Sequence, residues 1–447
     1  MSPRKNEKAR FAGAPIEHYL TFKKDIDRNK YRGKNRIPME TFHEKYFAGD
    51  VDFNGDALEV LEYRHDWANF RFTLSLFWYF LTGMLPEVIM HTRSQDEEQV
   101  RDHYDRGDDF YGWFLGPRMI YTSGIISDLH NEESLEQLQD NKLGIVCEKI
   151  GLKAGERMLD IGCGWGTLAK FASVNYGAQA TGVTLGRNQT AWGNAGLRKA
   201  GIGEEQSKIL CMDYRDIPTP EGGWNKITCL EMAEHVGVRY FGTFLGQVYE
   251  MLEDDGVFFL QIAGLRKCWQ YEDLIWGLFM NKYVFPGADA STPLGFFVDK
   301  LEGAGFEVKH IDTIGVHYSA TLWRWYRNWM ANKEKIVAKY GQKWFRVSQH
   351  YARIPLKRML TCNDRYGSSS SPTAPSSLAR AAQLATKSRW SRTSTPRTVS
   401  RACQRSIVSR ARWRLASLLE SRCSQVRSDE SRIDPVDDHG HPSMSSR

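Results

Sequence analysis

The segment "ERMLDIGCGWG" (Glu156–Gly166) is the clearest indication of the fold of this 447-residue chain. An apolar strand ending at Ile161 runs into three glycines at alternate positions, and a helical stretch (166–175) follows. Glycine has no Cβ, so these three residues permit a tight turn and a close approach of the backbone to a ligand. The stretch therefore predicts a strand, a ligand-binding turn and a helix.

Strands alternate with helices on both sides of this turn. Helices are predicted at Leu138–Ile150 and Gln189–Lys199. The further strands lie in "QATGVTL" (179–185), "SKILCMDYRDI" (207–217), "WNKITCLEMAEHVG" (224–237), "GVFFLQIAGL" (256–265) and at the start of "FEVKHIDTIGVHYSATLWRWYRNW" (306–329), which ends in an aromatic helix. This alternation is typical of βαβ units and predicts an α/β fold, a Rossmann-like parallel sheet with helices on both faces.

The spacing of the glycines indicates which ligand the turn binds. A dinucleotide site has the spacing GxGxxG and an acidic residue after the second strand. Here the spacing is GxGxG, and the second strand ends in neutral Thr184-Leu185-Gly186. Asp160, at the end of the first strand, can accept a hydrogen bond from the amino group of a methionine moiety. The pattern favours S-adenosylmethionine and a class I methyltransferase sheet; a glycine turn without a ligand is the alternative.

Three further stretches follow strands and supply candidate site residues. Thr184–Gln189 could bond a ribose or cap a helix, and Tyr214 with Arg215 could flank an adenine or form an ordinary turn. Glu234 and His235 close the fourth strand, where ligand chemistry collects, and are candidates for acid–base work or charge stabilisation. No HExxH spacing accompanies them, so no metal site is predicted.

Composition bounds the class of protein. The chain is long enough for two or three domains, and 41% hydrophobic with 26% charged residues is typical of a globular enzyme. Its formal charge of +6 combines an acidic stretch (93–109) with an Arg-rich stretch (378–427), so it does not indicate nucleic-acid binding. The eight Cys form no CxxC pair, which predicts reduced, structural thiols. The first ten residues do not resemble a signal peptide.

One apolar run, "FTLSLFWYFLTGMLP" (Phe72–Pro86), carries no charge. It is shorter than the ~20 residues that a spanning helix needs, and it ends in proline. We therefore expect an interfacial or buried helix, with contact to a membrane surface favoured because Trp and Tyr suit headgroup depth. A broken transmembrane segment is the other interpretation.

With these motifs in hand, the chain resembles the cyclopropane-fatty-acid-synthase and mycolic-acid methyltransferase family over about 100–345. The matching runs are "HYDRGDDFYGWFLGPRMIYTSGII", "MLDIGCGWGTLAKFA", "GVTLGRNQ", "EMAEHVG" and "HYSATLWRW". The resemblance implies contacts with S-adenosylmethionine at Tyr121, Thr122, Met158, Leu159, Asp160, Ile161, Gly162, Cys163, Gly164, Trp165, Gly166, Thr184, Leu185, Gly186, Arg187, Asn188, Gln189, Tyr214 and Arg215.

A narrower resemblance extends into the N-terminal region. "GAPIEHYLTFKKD", "RGKNRIPMETFHEKYF", "GDALEVLEYRHDWA", "LIWGLFMNKYVFPGADASTPLG" and "LCMDYRDIP" are similar to the fungal sphingolipid C9-methyltransferases. That group methylates C9 of the sphingadienine base of ceramide, the precursor of glucosylceramide. The resemblance implies a ceramide substrate and a place at the endoplasmic reticulum or another endomembrane, with the catalytic domain facing the cytosol. The two membrane anchors that precede this region in the group are expected to be missing.

The resemblance also implies catalytic residues. Ring-forming relatives hold a bicarbonate, thought to act as base, with a Glu, a Tyr, a Cys and a His. The Glu and Tyr map to Glu234 and Tyr318, but the Cys position is Ser123 and the His position is Gln261. This departure suits a product that keeps its double bond, because the proton lost is then the one on C9 and the base must lie elsewhere. Glu234 and Tyr318 would stabilise the intermediate cation.

The C-terminus departs from the family after "KWFR". Residues 347–447 are predicted to form an aberrant Ser/Arg-rich tail that is too poor in large apolar residues to fold. Back-translation of 366–399 in another frame can restore a family-like terminus. We therefore hypothesise a retained intron at about 347–365 and a frameshift, which would remove the last strand of the sheet. A real basic tail that binds anionic lipid is the alternative.

These observations divide the chain into an N-terminal region with an apolar helix (1–100), a methyltransferase domain (101–346) and the tail (347–447). The predicted function is C9-methylation of a sphingolipid. A cyclopropane-fatty-acyl-phospholipid synthase and a catalytically impaired lipid-binding protein are the alternatives.

Overall fold

A seven-stranded sheet with helices on both faces forms the centre of the computed structural model, which describes residues 14–84, 107–128, 130–265, 267, 271–284, 292–360 and 379–387. The strands are β1 (Leu20–Phe22), β2 (Ile37–Pro38), β3 (Val51–Phe53), β4 (Ala68–Asn69), β5 (Arg157–Ile161), β6 (Gln179–Thr184), β7 (Ser207–Cys211), β8 (Trp224–Leu230), β9 (Leu252–Gly264), β10 (Phe306–Thr313) and β11 (Ala379–Lys387).

The helices follow in the same chain order. They are α1 (Asp25–Lys30), α2 (Met39–Ala48), α3 (Ala57–Glu62), α4 (Arg64–Trp67), α5 (Leu74–Tyr79), α6 (Asp108–Leu115), α7 (Leu135–Lys149), α8 (Thr167–Tyr176), α9 (Arg187–Lys199), α10 (Phe241–Met251), α11 (Tyr271–Tyr283), α12 (Leu294–Gly303), α13 (Gly315–Ala331) and α14 (Lys333–Leu360), which is interrupted at Gly341.

The large sheet has the order β10–β11–β9–β8–β5–β6–β7. Strands β9, β8, β5, β6 and β7 are parallel, whereas β11 pairs antiparallel with both β9 and β10. The register sets Ile161 beside Val183 and Cys229, so β5, β6 and β8 end at one edge. The order and the parallel core confirm the predicted Rossmann-like class I methyltransferase fold.

Side chains of β5 alternate between two cores, as the period of two in a strand requires. Leu159 and Ile161 pack on the face covered by α10 and α12. Met158 packs on the opposite face with side chains of α7 and α8. Because both faces of the strand are buried, the glycine turn at its end follows a firmly packed strand.

The N-terminal region shares a third core with helices that come late in the chain. Its buried aromatic rings include Phe42 and Trp67, and they belong to the same cluster as Trp325 and Trp329 of α13. The Tyr46 hydroxyl donates to Gln349 Oε1 over 2.6 Å. Residues 14–69 therefore pack against the methyltransferase helices through one continuous core.

The apolar run Phe72–Pro86 forms α5 and one π-helical turn, Phe80–Met84. Thr73 caps α5, because its hydroxyl accepts a hydrogen bond from the Leu76 amide over 3.1 Å. Within the described part of the chain, no helix combines the length and apolar character that crossing a bilayer requires. Leu85 and Pro86 lie outside the described residues.

The predicted tail needs a correction. The tail is predicted to be unfolded from residue 347, but α14 continues to Leu360 and β11 forms at Ala379–Lys387. The physical reason lies in the sheet: β9 and β10 would otherwise each present an unpaired backbone edge, and β11 satisfies both. The slot of the last strand is thus filled, while 361–378 and 388–447 lie outside the described residues.

Candidate active site

The glycine turn forms one wall of a cavity at the carboxyl ends of β5, β6 and β8. Gly162 has φ 75°, and a Cβ there would lie 2.4 Å from the Met232 side chain, so this residue must be glycine. Gly164 has φ 54°, and no atom lies within 4 Å of its Cβ position. Gly162 thus seals the turn against the neighbouring loop, while Gly164 leaves room for a ligand beside the backbone.

The cavity measures about 1160 Å³, including space open to solvent. Twelve of the predicted cofactor residues line it: Tyr121, Thr122, Asp160, Gly162, Cys163, Gly164, Trp165, Thr184, Leu185, Gln189, Tyr214 and Arg215. Seven do not: Met158, Leu159, Ile161, Gly166, Gly186, Arg187 and Asn188. The first three of these seven are buried in β5 and support the turn.

Asp160 presents a carboxylate to this cavity. It is buried, and the Thr228 hydroxyl donates to its Oδ1 over 2.8 Å. Burial raises the pKa of Asp160 to about 6, although the Thr228 hydrogen bond and the Lys142 charge oppose the rise. Lys142, which also donates to the Thr122 hydroxyl, lines the cavity. An incoming ammonium group would find in Asp160 a buried acceptor whose ionisation it favours.

The neutral groups after β6 face the same cavity. Thr184 Oγ1 donates to Gln189 Oε1 over 2.6 Å, and both residues line the cavity wall. The N-cap of α9 is Gly186, without a side-chain capping bond, so neither Thr184 nor Asn188 caps this helix. Hydroxyl and amide groups are therefore placed where a ribose could bond. The ribose contact itself stays a prediction.

Tyr214 and Arg215 form a single 3-10 turn after β7. The Arg215 guanidinium lies 5.0 Å from the centre of the Tyr214 ring, and its Nε donates to Asp213 Oδ1 over 2.8 Å. Phe244 supports the ring edge-on at 5.4 Å. The turn thus presents a supported ring and a fixed cation to the cavity, and the predicted adenine contact fits this arrangement.

Three of these features fit S-adenosylmethionine. The open position at Gly164 admits a ligand, Asp160 can hold an ammonium group, and the Thr184–Gln189 pair offers polar groups at the next strand end.

The positions that depart from the ring-forming relatives contact each other. The Gln261 amide donates to Ser123 Oγ over 3.4 Å and to Glu231 Oε1 over 2.6 Å. Ser123 and Gln261 are fully buried, whereas Glu231 lines the cavity. The Glu231 amide donates in turn to the Gln261 carbonyl over 2.7 Å. A hydrogen-bonded row, Ser123–Gln261–Glu231, thus runs from the interior to the cavity.

Backbone strain marks the same wall. Among the described residues, the non-glycine residues with positive φ are Met119 (51°) and Glu231 (60°), and both line the cavity. Such a conformation costs of order 1–3 kcal/mol and persists where the surroundings enforce it, often at functional sites. With this backbone conformation, the Glu231 side chain lines the cavity directly after the last residue of β8.

Glu234 lies deeper, in the 3-10 turn Ala233–His235. Its Oε1 accepts the Ala263 amide over 2.7 Å, and its buried Oε2 has no hydrogen-bond partner among the described residues. Burial raises the pKa of Glu234 to about 7. His235 lines the cavity, and Glu234 does not. Within the described ranges, no three His, Cys, Asp or Glu side chains gather as metal ligands.

Tyr318 is buried in α13 and does not line the cavity. Its ring lies 6.0 Å from Trp325, which lies 5.4 Å from the cavity-lining ring of Tyr121. One turn along the same helix, Thr321 Oγ1 accepts the Gly124 amide over 2.9 Å. The helix that carries Tyr318 therefore positions the 121–124 segment, and a direct role of its hydroxyl stays a prediction.

Sequence reasoning missed Lys142 and gave Glu231 no role. Lys142 lies in the middle of α7 among other polar residues, and nothing in that pattern singles it out. Glu231 had a usable signal, because it directly follows the last residue of β8, where ligand chemistry collects.

Known proteins share this sequence and fold. Residues 91–361 match the family described as mycolic acid cyclopropane synthetase. Sphingolipid C9-methyltransferase A of Emericella nidulans is 76% identical over 351 residues, covering 78% of this chain and 68% of the relative. Sphingolipid C9-methyltransferase of Komagataella phaffii is 68% identical over 356 residues, covering 78% and 73%.

A solved structure shares the fold at lower identity. The cyclopropane synthase MmaA2 from Mycobacterium tuberculosis superposes with a TM-score of 0.57 at 23% identity, covering 65% of this chain and 98% of that one. The glycine turn, the sheet order and these matches agree: the chain belongs to the mycolic acid cyclopropane synthetase family of S-adenosylmethionine-dependent C-methyltransferases.

Proposed function

We propose that this chain transfers a methyl group from S-adenosylmethionine to C9 of the sphingadienine base of a ceramide, a step in glucosylceramide biosynthesis. Support comes from the two fungal relatives, which are named sphingolipid C9-methyltransferases. The structural observation that carries the proposal is the Ser123–Gln261–Glu231 row, which replaces the Cys and His expected at a ring-forming site.

Residues of the glycine turn and the two next strand ends would hold the methyl donor. Asp160 would accept the ammonium group of its methionine moiety, and the Thr184–Gln189 pair and Tyr214 would contact its nucleoside. When bound, the donor supplies an electrophilic methyl group on a positively charged sulfur.

The reaction requires that a proton leaves C9 once the methyl group has been added there. Glu231 is the carboxylate best placed to take it, because it lines the cavity and is held by the Gln261 amide. The hydrogen bond orients the Glu231 carboxylate within the cavity wall. Gln261 is itself held by Ser123, so the row fixes the angle of the base.

Glu234 would act through charge and not by taking this proton. It lies behind the cavity wall, and its second oxygen is buried without a hydrogen bond among the described residues. A positive charge developing at C8 favours ionisation of such a carboxyl, and the ionised form stabilises that charge in return.

Deuterium in the transferred methyl group separates the candidate reactions. The full chain is incubated with S-adenosylmethionine carrying a CD3 group, together with a sphingadienine ceramide or an unsaturated phospholipid. A C9-methylated alkene keeps all three deuterons, since its lost proton comes from C9. A cyclopropane keeps two, because its proton comes from the methyl group.

Three-deuteron ceramide is the expected product. Two-deuteron phospholipid would replace this proposal with fatty-acyl cyclopropane synthesis. Binding of S-adenosylhomocysteine without any labelled lipid would indicate a lipid-binding protein instead.

We also propose that the reaction takes place at the cytosolic face of the endoplasmic reticulum or another endomembrane, because the acceptor is a membrane lipid. Fractionation of cells that express the tagged chain tests this. Recovery in the soluble fraction at low salt would contradict it.

A further inference from the structure

Helix α5 and the π turn after it are apolar on two sides. Leu76 is buried against Ile275 and Leu278 of α11. The opposite side carries apolar side chains spaced i, i+3, i+4 and i+7, which lie on one face of a helix. They are exposed: Leu74 (72%), Phe77 (43%), Trp78 (57%) and Leu81 (37%). Phe72, just before the helix, is also exposed.

This arrangement differs from that of an ordinary surface helix. A surface helix buries one apolar stripe and turns polar residues to water, whereas a helix that is apolar all round belongs in a core or a membrane. Isolated exposed apolar residues need no explanation, but a contiguous exposed patch marks an interaction site. The segment is anchored, since the Tyr79 hydroxyl donates to Asn281 Oδ1 over 2.5 Å.

A cationic loop, residues 30–36, leads into β2. Four of its side chains are exposed, and no acidic residue interrupts 28–36. They are Lys30, Arg32, Lys34 and Arg36. Within the described part of the chain, the structure pairs none of the four with a carboxylate. The loop thus carries four exposed positive charges, and the carboxylate of Glu17 contacts its backbone by accepting the Gly33 amide over 3.0 Å.

Backbone pairing brings the loop and the apolar face together. β2, which follows the loop, pairs with β4, which precedes α5. The Asn69 side-chain amide donates to the Arg36 carbonyl over 3.0 Å. The Thr73 hydroxyl, which caps α5, donates to Glu40 Oε2 over 2.9 Å. The last cation of the loop and the first turn of the apolar helix therefore flank the same two-stranded pair.

We propose that this surface, the exposed face of Phe72–Leu81 together with the cationic loop 30–36, docks the protein on an anionic lipid bilayer. The proposal rests on the proposed function, in which the acceptor is a bilayer lipid. The apolar side chains enter the acyl boundary, Trp78 lies at headgroup depth, and the cations meet anionic headgroups. A segment of this length cannot cross the bilayer, so it lies in the interface.

Charge selects the bilayer as the occupant. An apolar patch by itself would serve a second protein chain equally well. The neighbouring unpaired cations match the negative surface potential of a cytosolic leaflet, where each contributes to binding and is screened by salt. Binding is therefore expected to need both anionic lipid and the apolar face.

Vesicle flotation of the full chain tests the proposal. Vesicles of neutral phosphatidylcholine are compared with vesicles that also contain phosphatidylserine, at low and high salt. The variant Leu74→Ser/Trp78→Ser removes the apolar contact, and Arg32→Gln/Lys34→Gln/Arg36→Gln removes the charge. Val174→Ser, at an equally exposed apolar residue of α8, is the matched control.

The apolar variant is expected to bind anionic vesicles at least about tenfold more weakly. The charge variant should lose the preference for phosphatidylserine and its salt dependence, and Val174→Ser should bind as the unchanged chain does. Binding by the apolar variant equal to that of the unchanged chain would overturn the proposal. So would self-association in the absence of lipid that the apolar variant abolishes, because the face would then join two copies.

Turnover on ceramide dispersed in detergent separates this proposal from the function on which it rests. Both variants are expected to keep the detergent activity of the unchanged chain within about twofold, since neither touches the cavity. An unchanged chain that lacks this activity, yet loses vesicle binding on Leu74→Ser/Trp78→Ser, would contradict the proposed function and leave the docking surface supported. Equal thermal melting of all four proteins shows that folding is preserved.

Discussion

Glu231 combines three features at one residue: a positive φ, a place in the cavity wall and a hydrogen bond to Gln261. Each alone has an ordinary explanation. Together they mean that the fold accepts backbone strain to hold a carboxylate beside the ligand, which is why we assign it the proton on C9.

The variant Glu231→Gln tests this assignment. It keeps the shape of the side chain and one oxygen that can accept the Gln261 amide, but it removes the base, so turnover is expected to fall by roughly 10²–10⁴-fold. Affinity for S-adenosylhomocysteine, measured by calorimetry, should stay within about twofold. The control Glu302→Gln changes an exposed carboxylate on α12 and should leave both quantities as they are. Turnover by Glu231→Gln within tenfold of the unchanged chain would rule out this base.

The raised pKa of Glu234 predicts that the stability of the fold depends on pH. Burial raises its pKa from 4.5 to about 7, so the folded state holds this proton more tightly than the unfolded state. Its contribution to stability is therefore complete below about pH 4.5 and is lost as the pH rises through about 7. Over that range the unfolding free energy of the unchanged chain should fall by on the order of 3 kcal/mol more than that of Glu234→Gln, which lacks this titration. Urea unfolding at pH 5 and pH 8 measures it.

The same ionisation bears on activity. If the ionised form stabilises the cation, turnover of the unchanged chain rises with pH through about 7, and Glu234→Gln lacks this rise and is slower at pH 8. The control is Glu253→Gln, which changes a carboxylate on β9 that accepts a hydrogen bond from Asn225 of β8. A variant with the turnover of the unchanged chain at pH 8 would show that Glu234 has no catalytic effect.

At the scale of elements, starts and ends depend on short local signals that hydrophobic patterns alone do not reveal. The pattern predicts a helix from Leu138, but α7 begins at Leu135. Ser134 caps it: its hydroxyl accepts the Gln137 amide, and the Gln137 side chain accepts the Ser134 amide. This capping box adds a turn in front of the apolar stripe.

The strand β11, in contrast, has no local signal in the sequence that predicts it. No apolar alternation predicts a strand at Ala379–Lys387, which lies in a stretch of Ser- and Arg-rich composition. The strand forms between the edges of β9 and β10. Its backbone pairs with Val257–Gly264 on one side and with Phe306–Thr313 on the other. Tertiary pairing thus overrides weak local preference.

Truncation measures what β11 contributes. A chain ending at 378 exposes the facing edges of β9 and β10, whereas a chain ending at 387 keeps them paired. We expect the shorter chain to melt at a temperature lower by at least about 5 °C and to aggregate on heating, because unpaired edges invite pairing between molecules. Differential scanning calorimetry of the two chains is the measurement. Equal melting temperatures would mean that β11 does not stabilise the sheet.

At the scale of the whole molecule, the N-terminal region and the late helices form one unit. Arg346 is buried between them: its guanidinium donates to the carbonyls of Tyr46 and Val51 and pairs with Asp52 Oδ1 at 2.6 Å. Its positive charge, with that of Lys23, keeps the pKa of Asp52 low despite burial.

The variant Arg346→Met is expected to destabilise the fold by about 3–5 kcal/mol, because it removes the buried hydrogen bonds to the carbonyls of Tyr46 and Val51 and leaves Asp52 without its inner partner. Lys343→Met, an exposed cation on the same helix, is the control and should change stability by less than about 0.5 kcal/mol. Guanidinium unfolding followed by tryptophan fluorescence reports both. A loss under about 1 kcal/mol for Arg346→Met would contradict the shared core.

The parallel sheet, the glycine turn and the nature of the methyl donor could be predicted from the residues alone. These features are local: strand periodicity, three glycines that need special φ angles, and a carboxylate at a strand end are written in consecutive residues. Most of the predicted cofactor residues that line the cavity follow from that logic, because the carboxyl ends of parallel strands meet at one edge.

Three features depend on the packed chain and could not be predicted: the Ser123–Gln261–Glu231 row, the burial of Glu234 behind the cavity wall and the place of β11. Their partners lie 29 to more than 100 residues apart, as in the pairs Ala263–Glu234 and Gln261–Ser123. No local pattern encodes such distances. Burial arises only once the chain is packed, and it sets the pKa of a carboxyl group. Unpaired sheet edges also arise only then, and they can pair with a segment of low strand propensity.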